Sequence, residues 1–140
     1  MVMSQLYPFL FTGERKDRRL VAACVPGELH EIGARMVADF FEMEGWDTFF
    51  LGANTPTESI LEMVAQQHVP LLAISATMTF HVEKVRDLIA ATRRSGLPVR
   101  ILVGGYPFNH AVNLWKNVGA DGCARDAQGA VALAEGLAAA

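Results

Sequence analysis

The stretch Leu20-Val21-Ala22-Ala23-Cys24-Val25-Pro26-Gly27-Glu28-Leu29-His30-Glu31-Ile32-Gly33 decides the fold. Its first six residues form a short apolar run of the kind that fills a buried strand. Beyond the loop, Ile32, Met36, Val37, Phe40 and Phe41 recur at helical spacing, so Gly27 to Gly33 is a strand-to-helix joint. In open α/β sheets such joints lie at the carboxyl ends of the strands, where ligands bind. This one carries an imidazole, two carboxylates and two glycines, and no phosphate-binding glycine pattern.

Outward from that joint the alternation repeats. Trp46 to Leu51 reads as a second strand between Gly45 and Gly52. Thr55-Pro56-Thr57-Glu58 opens a helix, with Thr55 and Glu58 spaced as a capping box and Pro56 suited to the first turn. Leu71 to Ser75 is apolar throughout, which predicts a central strand covered on both faces. It leads through Ala76-Thr77-Met78-Thr79 into a helix from about His81 to Arg94. A fourth strand, Val99 to Val103, runs into Gly104-Gly105. Tyr106-Pro107 introduces a helix over Asn109 to Asn117, which Gly119 stops. A weak strand at Gly122 to Ala124 and an alanine-rich helix follow.

The pattern predicts a flavodoxin-like (Rossmann-like) α/β fold: five parallel strands in the order 2-1-3-4-5, with helices on both faces. The loops after strands one, three and four then share one edge. That brings His30, Ser75 with Thr77, and Gly104 with Gly105 around one crevice. Residues 1 to 18 read as a lead-in segment or linker, with the apolar Leu6-Tyr7-Pro8-Phe9-Leu10-Phe11 and the charged Glu14 to Arg19 within or beside it. Residues 19 to 140 form the domain.

With 140 residues, the chain has the size of a single domain burying roughly two thirds of its unfolded surface. Its 51% hydrophobic and 19% charged residues match ordinary globular proteins. A net charge of -3 gives no reason to expect direct nucleic-acid binding by this segment. No apolar run reaches the roughly 20 residues of a membrane span, and the short amino-terminal run lacks a signal peptide's basic lead, so a cytoplasmic location is expected. Cys24 and Cys123 both fall in strands, which reads as core packing in a reducing compartment.

Several chemistries are missing. Neither GxGxxG nor GxxxxGK follows a strand, and the third strand ends in Ser75-Ala76 where a phosphoacceptor aspartate would stand. The anionic Glu28-Leu29-His30-Glu31 would repel a bound phosphate. His30 can ligate a metal through one ring nitrogen while the other donates to Glu28. His68, His81 and His110 make no zinc spacing with it, and one histidine suffices only for a metal already held in a macrocycle. Plainer readings stand beside these: Gly104-Gly105 as a tight turn, Ser75 and Thr77 as strand-end hydroxyls, Glu31 as a helix-start charge, and the Met36, Met43, Phe40 and Phe41 set as core or interface.

Taken together, ExHxxG at Glu28 to Gly33, SxT at Ser75 to Thr77 and GG at Gly104 and Gly105 resemble the cobalamin-binding domain family, whose fingerprint is DxHxxG, SxL or SxT, and GG. The resemblance implies a corrinoid, adenosylcobalamin or methylcobalamin, bound base-off with His30 as its lower axial cobalt ligand. It implies a site made of Glu28, Leu29, His30, Glu31, Ile32, Gly33, Ser75, Thr77, Gly104, Gly105 and Tyr106, with the nucleotide tail in a slot beside the sheet. Glu28 departs from the family's commoner aspartate by one methylene. The helical cap that usually covers the upper corrin face has no room in the first 18 residues, so a partner protein, another subunit or a missing domain is expected there. The apolar last helix offers a face for a homo-oligomer.

For function the resemblance implies a sensory or regulatory module without catalytic residues of its own, since Leu51-Gly52-Ala53-Asn54-Thr55-Pro56 looks like the version in cobalamin-dependent light sensors and transcriptional regulators. The alternatives are the corrinoid carrier domain of a methyltransferase or mutase system, and a haem-binding redox or light sensor on the same fold.

Overall fold

A computed structural model describes residues 18–25 and 31–139. The amino-terminal apolar run and the loop residues Glu28, Leu29 and His30 lie outside the described residues. Five strands form one parallel sheet: β1 (Arg19–Cys24), β2 (Asp47–Leu51), β3 (Leu71–Ser75), β4 (Arg100–Gly104) and β5 (Gly122–Ala124), in the order β2-β1-β3-β4-β5. The expected flavodoxin-like topology is therefore the observed one. Leu71 to Ile74 are buried in mid-sheet, as a strand flanked on both sides and covered on both faces must be.

Strand alternation divides the core in two. Leu20 and Ala22 of β1 point with Ala73 and Leu102 toward α1 (Ile32–Met43) and α6 (Ala127–Ala139). Val21, Ala23, Leu72, Ile74, Ile101 and Val103 point the other way, against α2 (Thr57–Gln67) and α3 (Val82–Arg94). Ile60 and Val64 supply the buried stripe of α2, and Val85, Leu88 and Ile89 that of α3. At the end of α1, Phe41 meets Trp46 edge-on at 5.1 Å, closing the turn into β2. Gly45 makes that turn with φ of 90°.

Local expectations are corrected at three points. The capping box of α2 does not form: Pro56 itself is the N-cap, in extended conformation, and the Thr55 hydroxyl donates instead to the Gly52 carbonyl at 2.7 Å. The helix expected over Asn109 to Asn117 is two short pieces, α4 (Tyr106–His110) and α5 (Leu114–Asn117). Ala111 is extended and Asn113 left-handed at φ of 64°, so no continuous hydrogen-bond ladder can pass between them. Ile32 and Met36, on the apolar spacing of α1, are 74% and 62% exposed. Cys24 and Cys123 are free, on strands separated by β3 and β4.

Candidate functional site

All five strands run the same way, so their carboxyl ends share one edge. The last row there is Cys24, Ser75, Gly104 and Ala124, paired in register from β1 to β5. One pleat inward on the same face stand Ala22, Ala73 and Leu102. Small side chains at alternate positions leave the floor low, and α1 and α6 cannot sink to fill it. The result is a cavity of about 300 Å³. Gly33, Ala34, Met36 and Val37 form its α1 wall and Ala127 and Ala130 its α6 wall. Ser75, Asn109, Arg125 and Asp126 are its polar lining.

The expected site residues divide by position. Gly33, Ser75, Gly104 and Gly105 line this cavity. Gly105 is required by geometry: its φ of 115° and ψ of 174° belong to glycine alone. A Cβ there would lie 2.9 Å from the Ala76 carbonyl carbon and closer still to its oxygen. At Gly104 a Cβ would meet only the Ala124 carbonyl oxygen, at 3.3 Å. The plainer reading of the pair as a tight turn therefore holds for the backbone, and both residues also line the cavity.

Thr77, half-buried, and Ile32 and Tyr106, exposed, are outside the cavity lining. The Tyr106 ring stacks on His110 at 3.9 Å, and the His110 Nδ1 lies 3.0 Å from the Tyr106 carbonyl oxygen. Glu31 also stands apart from the cavity. It is the N-cap residue of α1, but its side chain makes no capping bond. Its Oε2 instead accepts the Ala53 N–H at 2.5 Å, and Arg35 approaches Oε1 at 3.4 Å. The Ala53 bond above all holds this carboxyl below its usual range, against the opposing effect of burial and with help from Arg35. The carboxylate lies 2.6 Å from where a Gly52 Cβ would be, so the Gly52-Ala53 segment is fitted to Glu31.

Sequence reasoning missed most of the walls, together with Asn109, Arg125 and Asp126. The available signal was the spacing of alanines: Ala22 and Ala73 at strand positions of one face, Ala127 and Ala130 on one face of the last helix. Among the described residues no group of three His, Cys, Asp or Glu side chains is placed to hold a bare metal ion. None of their helices is long and apolar enough to cross a membrane.

A flavodoxin-like sheet with a small-residue cavity at the carboxyl edge defines an α/β protein that binds its ligand beside the strand ends. Residues 18–134 match the B12 binding domain family, and the chain belongs to it. Its cofactor is thus cobalamin, in preference to haem. The residues present suit that group, since the low floor set by small residues such as Ala22 and Ala73 gives a heterocyclic tail room against the sheet. The chain is 32% identical over 127 residues to dimethylamine corrinoid protein 3 of Methanosarcina acetivorans, covering 89% of this chain and 58% of that protein. Its structure resembles the Methanosarcina barkeri monomethylamine corrinoid protein with a TM-score of 0.77 at 27% identity, over 94% of this chain and 63% of the other. It also resembles a cobalamin-binding protein from Desulfitobacterium hafniense DCB-2, with a TM-score of 0.79 at 26% identity, over 85% and 58%. The chain thus spans a little over half the length of such relatives.

Proposed function

We propose that this chain is the corrinoid-carrying domain of a methyl-transfer system, and that His30 is the lower axial ligand of a base-off cobalamin. The observation that carries the reading is the slot between α1 and α6, lined by Gly104 and Gly105 among its small residues, in a chain whose relatives are methylamine corrinoid proteins. That kinship favours the carrier over the light-sensing module. The bound corrinoid supplies a cobalt centre able to accept and release a methyl group. The protein's part is to hold and orient. The small floor residues admit the tail, Ser75 offers a hydroxyl from that floor, and α1 and α6 keep water from its flanks.

His30 lies in the segment between β1 and α1 in sequence, and Glu28 is the carboxylate two residues away that would set its tautomer. Glu31, bonded to Ala53, serves as an anchor for the start of α1 rather than as a contact to the cofactor. Ile32, Phe80 and Tyr106, exposed by 74%, 71% and 57%, each follow a strand's carboxyl end and so surround the same edge. We place a methyltransferase partner or a further domain over that edge, in a cytoplasmic setting.

The test is an absorption titration with hydroxocobalamin and methylcobalamin, in darkness and under green light. Uptake of one corrinoid per chain with a histidine-ligated spectrum is expected, and His30→Ala is expected to lose that ligation while keeping its fold. A His30→Ala spectrum equal to wild type would remove His30 from the role. A light-driven change of oligomeric state would return the chain to the sensors.

A further inference from the structure

Helix α1 is apolar on two opposite faces. Ala34, Ala38 and Phe41 are buried on the side toward the sheet. Half a turn around the helix, Ile32, Met36 and Met43 are exposed by 74%, 62% and 55%. A helix at the surface of a domain buries one stripe and covers the other with charge, so a second stripe of large apolar side chains calls for a second covering. Along that stripe Ile32, Met36, Asp39 and Met43 are spaced by four, three and four residues, the rhythm of a coiled-coil seam. Of these only Met36 also lines the cavity, so the stripe runs on well past the cofactor site.

We propose that this stripe is where a second copy of the chain packs, α1 against α1 and antiparallel about a two-fold axis. The spacing is self-complementary. With Ile32 opposite Met43 of the second copy, Met36 falls opposite Asp39, and the flanking positions bring Arg35 beside Glu42 and Phe40 beside Gly33, each pair occurring twice by symmetry. Opposite charges therefore meet on one flank. On the other, a half-buried ring meets a residue without a side chain: a Cβ at Gly33 would have nothing within 4 Å in its own chain, so no internal contact calls for that glycine. Glu42 has no ion pair among the described residues. Arg35, 3.4 Å from Glu31 and 4.8 Å from the centre of the Phe50 ring, has donors left over for it. Asp39 is the one charge in the seam, and α1 is only about 18 Å long, so the pairing is of the weak, reversible kind. Because α1 runs from the carboxyl edge of the sheet toward the amino edge, antiparallel pairing turns the two carboxyl edges to opposite ends and leaves each open. The inference is independent of the cofactor reading.

Sedimentation equilibrium of the full chain, from about 1 to about 500 μM, reads the association. Wild type is expected to pass from monomer to dimer within that range. Met43→Lys is expected to weaken the dimer roughly tenfold, since each copy loses an apolar side chain from the seam. Glu42→Arg is expected to weaken it about fivefold, since both flanking pairs become repulsive. Asp39→Leu is expected to tighten it roughly tenfold by completing the seam, a gain that damage to the fold would not produce. Val112→Lys, at a residue 92% exposed in the turn between α4 and α5, is expected to change nothing. Monomers throughout in both wild type and Asp39→Leu would overturn the proposal, as would a dimer that Met43→Lys and Glu42→Arg leave intact. Loss of association in Val112→Lys would also overturn it, by moving the contact to the turn between α4 and α5.

Discussion

Gly105→Ala should be the most damaging single-methyl change in the chain. Gly105 occupies a region of backbone space that L residues enter at a cost of about 1–3 kcal/mol. The added Cβ collides with the Ala76 carbonyl, and relief requires β4 and the loop after β3 to separate. Separation strains the bond in which the Ala76 N–H donates to the Gly104 carbonyl at 3.2 Å, worth about 1 kcal/mol net. The sum is about 2–4 kcal/mol against a total stability of roughly 5–15 kcal/mol, which corresponds to a fall in Tm of about 10 °C. Gly104→Ala is the internal control. Its Cβ meets a single backbone oxygen at 3.3 Å and no left-handed strain arises, so its cost should stay below about 1 kcal/mol. Urea unfolding of the three proteins measures the difference. Gly105→Ala within about 0.5 kcal/mol of wild type, near the noise of surface substitutions, would refute the argument from backbone geometry.

Other outcomes follow from the same structure. The Glu31 carboxyl is depressed below its ordinary 4.5 in the folded state, so its contribution is present above that pH and disappears as pH falls through the folded value. Unfolding midpoints of wild type and Glu31→Gln should therefore differ at pH 7 and converge in acid, and a constant offset at every pH would contradict this. Asp121 Oδ2 accepts both the Ile101 N–H at 2.7 Å and Arg93 at 2.9 Å, so Asp121→Ala should cost about 1–3 kcal/mol by stranding a strand amide, measured by urea unfolding. Phe41→Ala should cost about 3–5 kcal/mol by the same measurement, since the ring is fully buried and leaves Trp46 without its edge-on neighbour.

Strand order and the placement of Ser75, Gly104 and Gly105 at one edge were legible because they depend on short-range pattern. An all-apolar run such as Leu71 to Ile74 can only be central, and a parallel sheet with alternating helices leaves few orders open. The residues whose partners are distant in sequence were not legible. Glu31 reads as a helix-start charge until Ala53, 22 residues away, is seen donating to it. Asn109, on a helix, and Arg125, after a strand, show no connection until the fold brings them to one cavity. Ile32 and Met36 obey helical periodicity, yet the first turns of α1 rise at the sheet edge, where no layer covers them.

By itself the sequence determined the α/β class, the order 2-1-3-4-5 and the family resemblance, all of which follow from local periodicity and from motifs at strand ends. Only the tertiary structure decided where space remains. A slot exists between α1 and α6 because alanines and glycines from β1, β3, β4, β5 and both helices meet there. The size of that gap is a sum over elements far apart in the chain, which no one segment encodes.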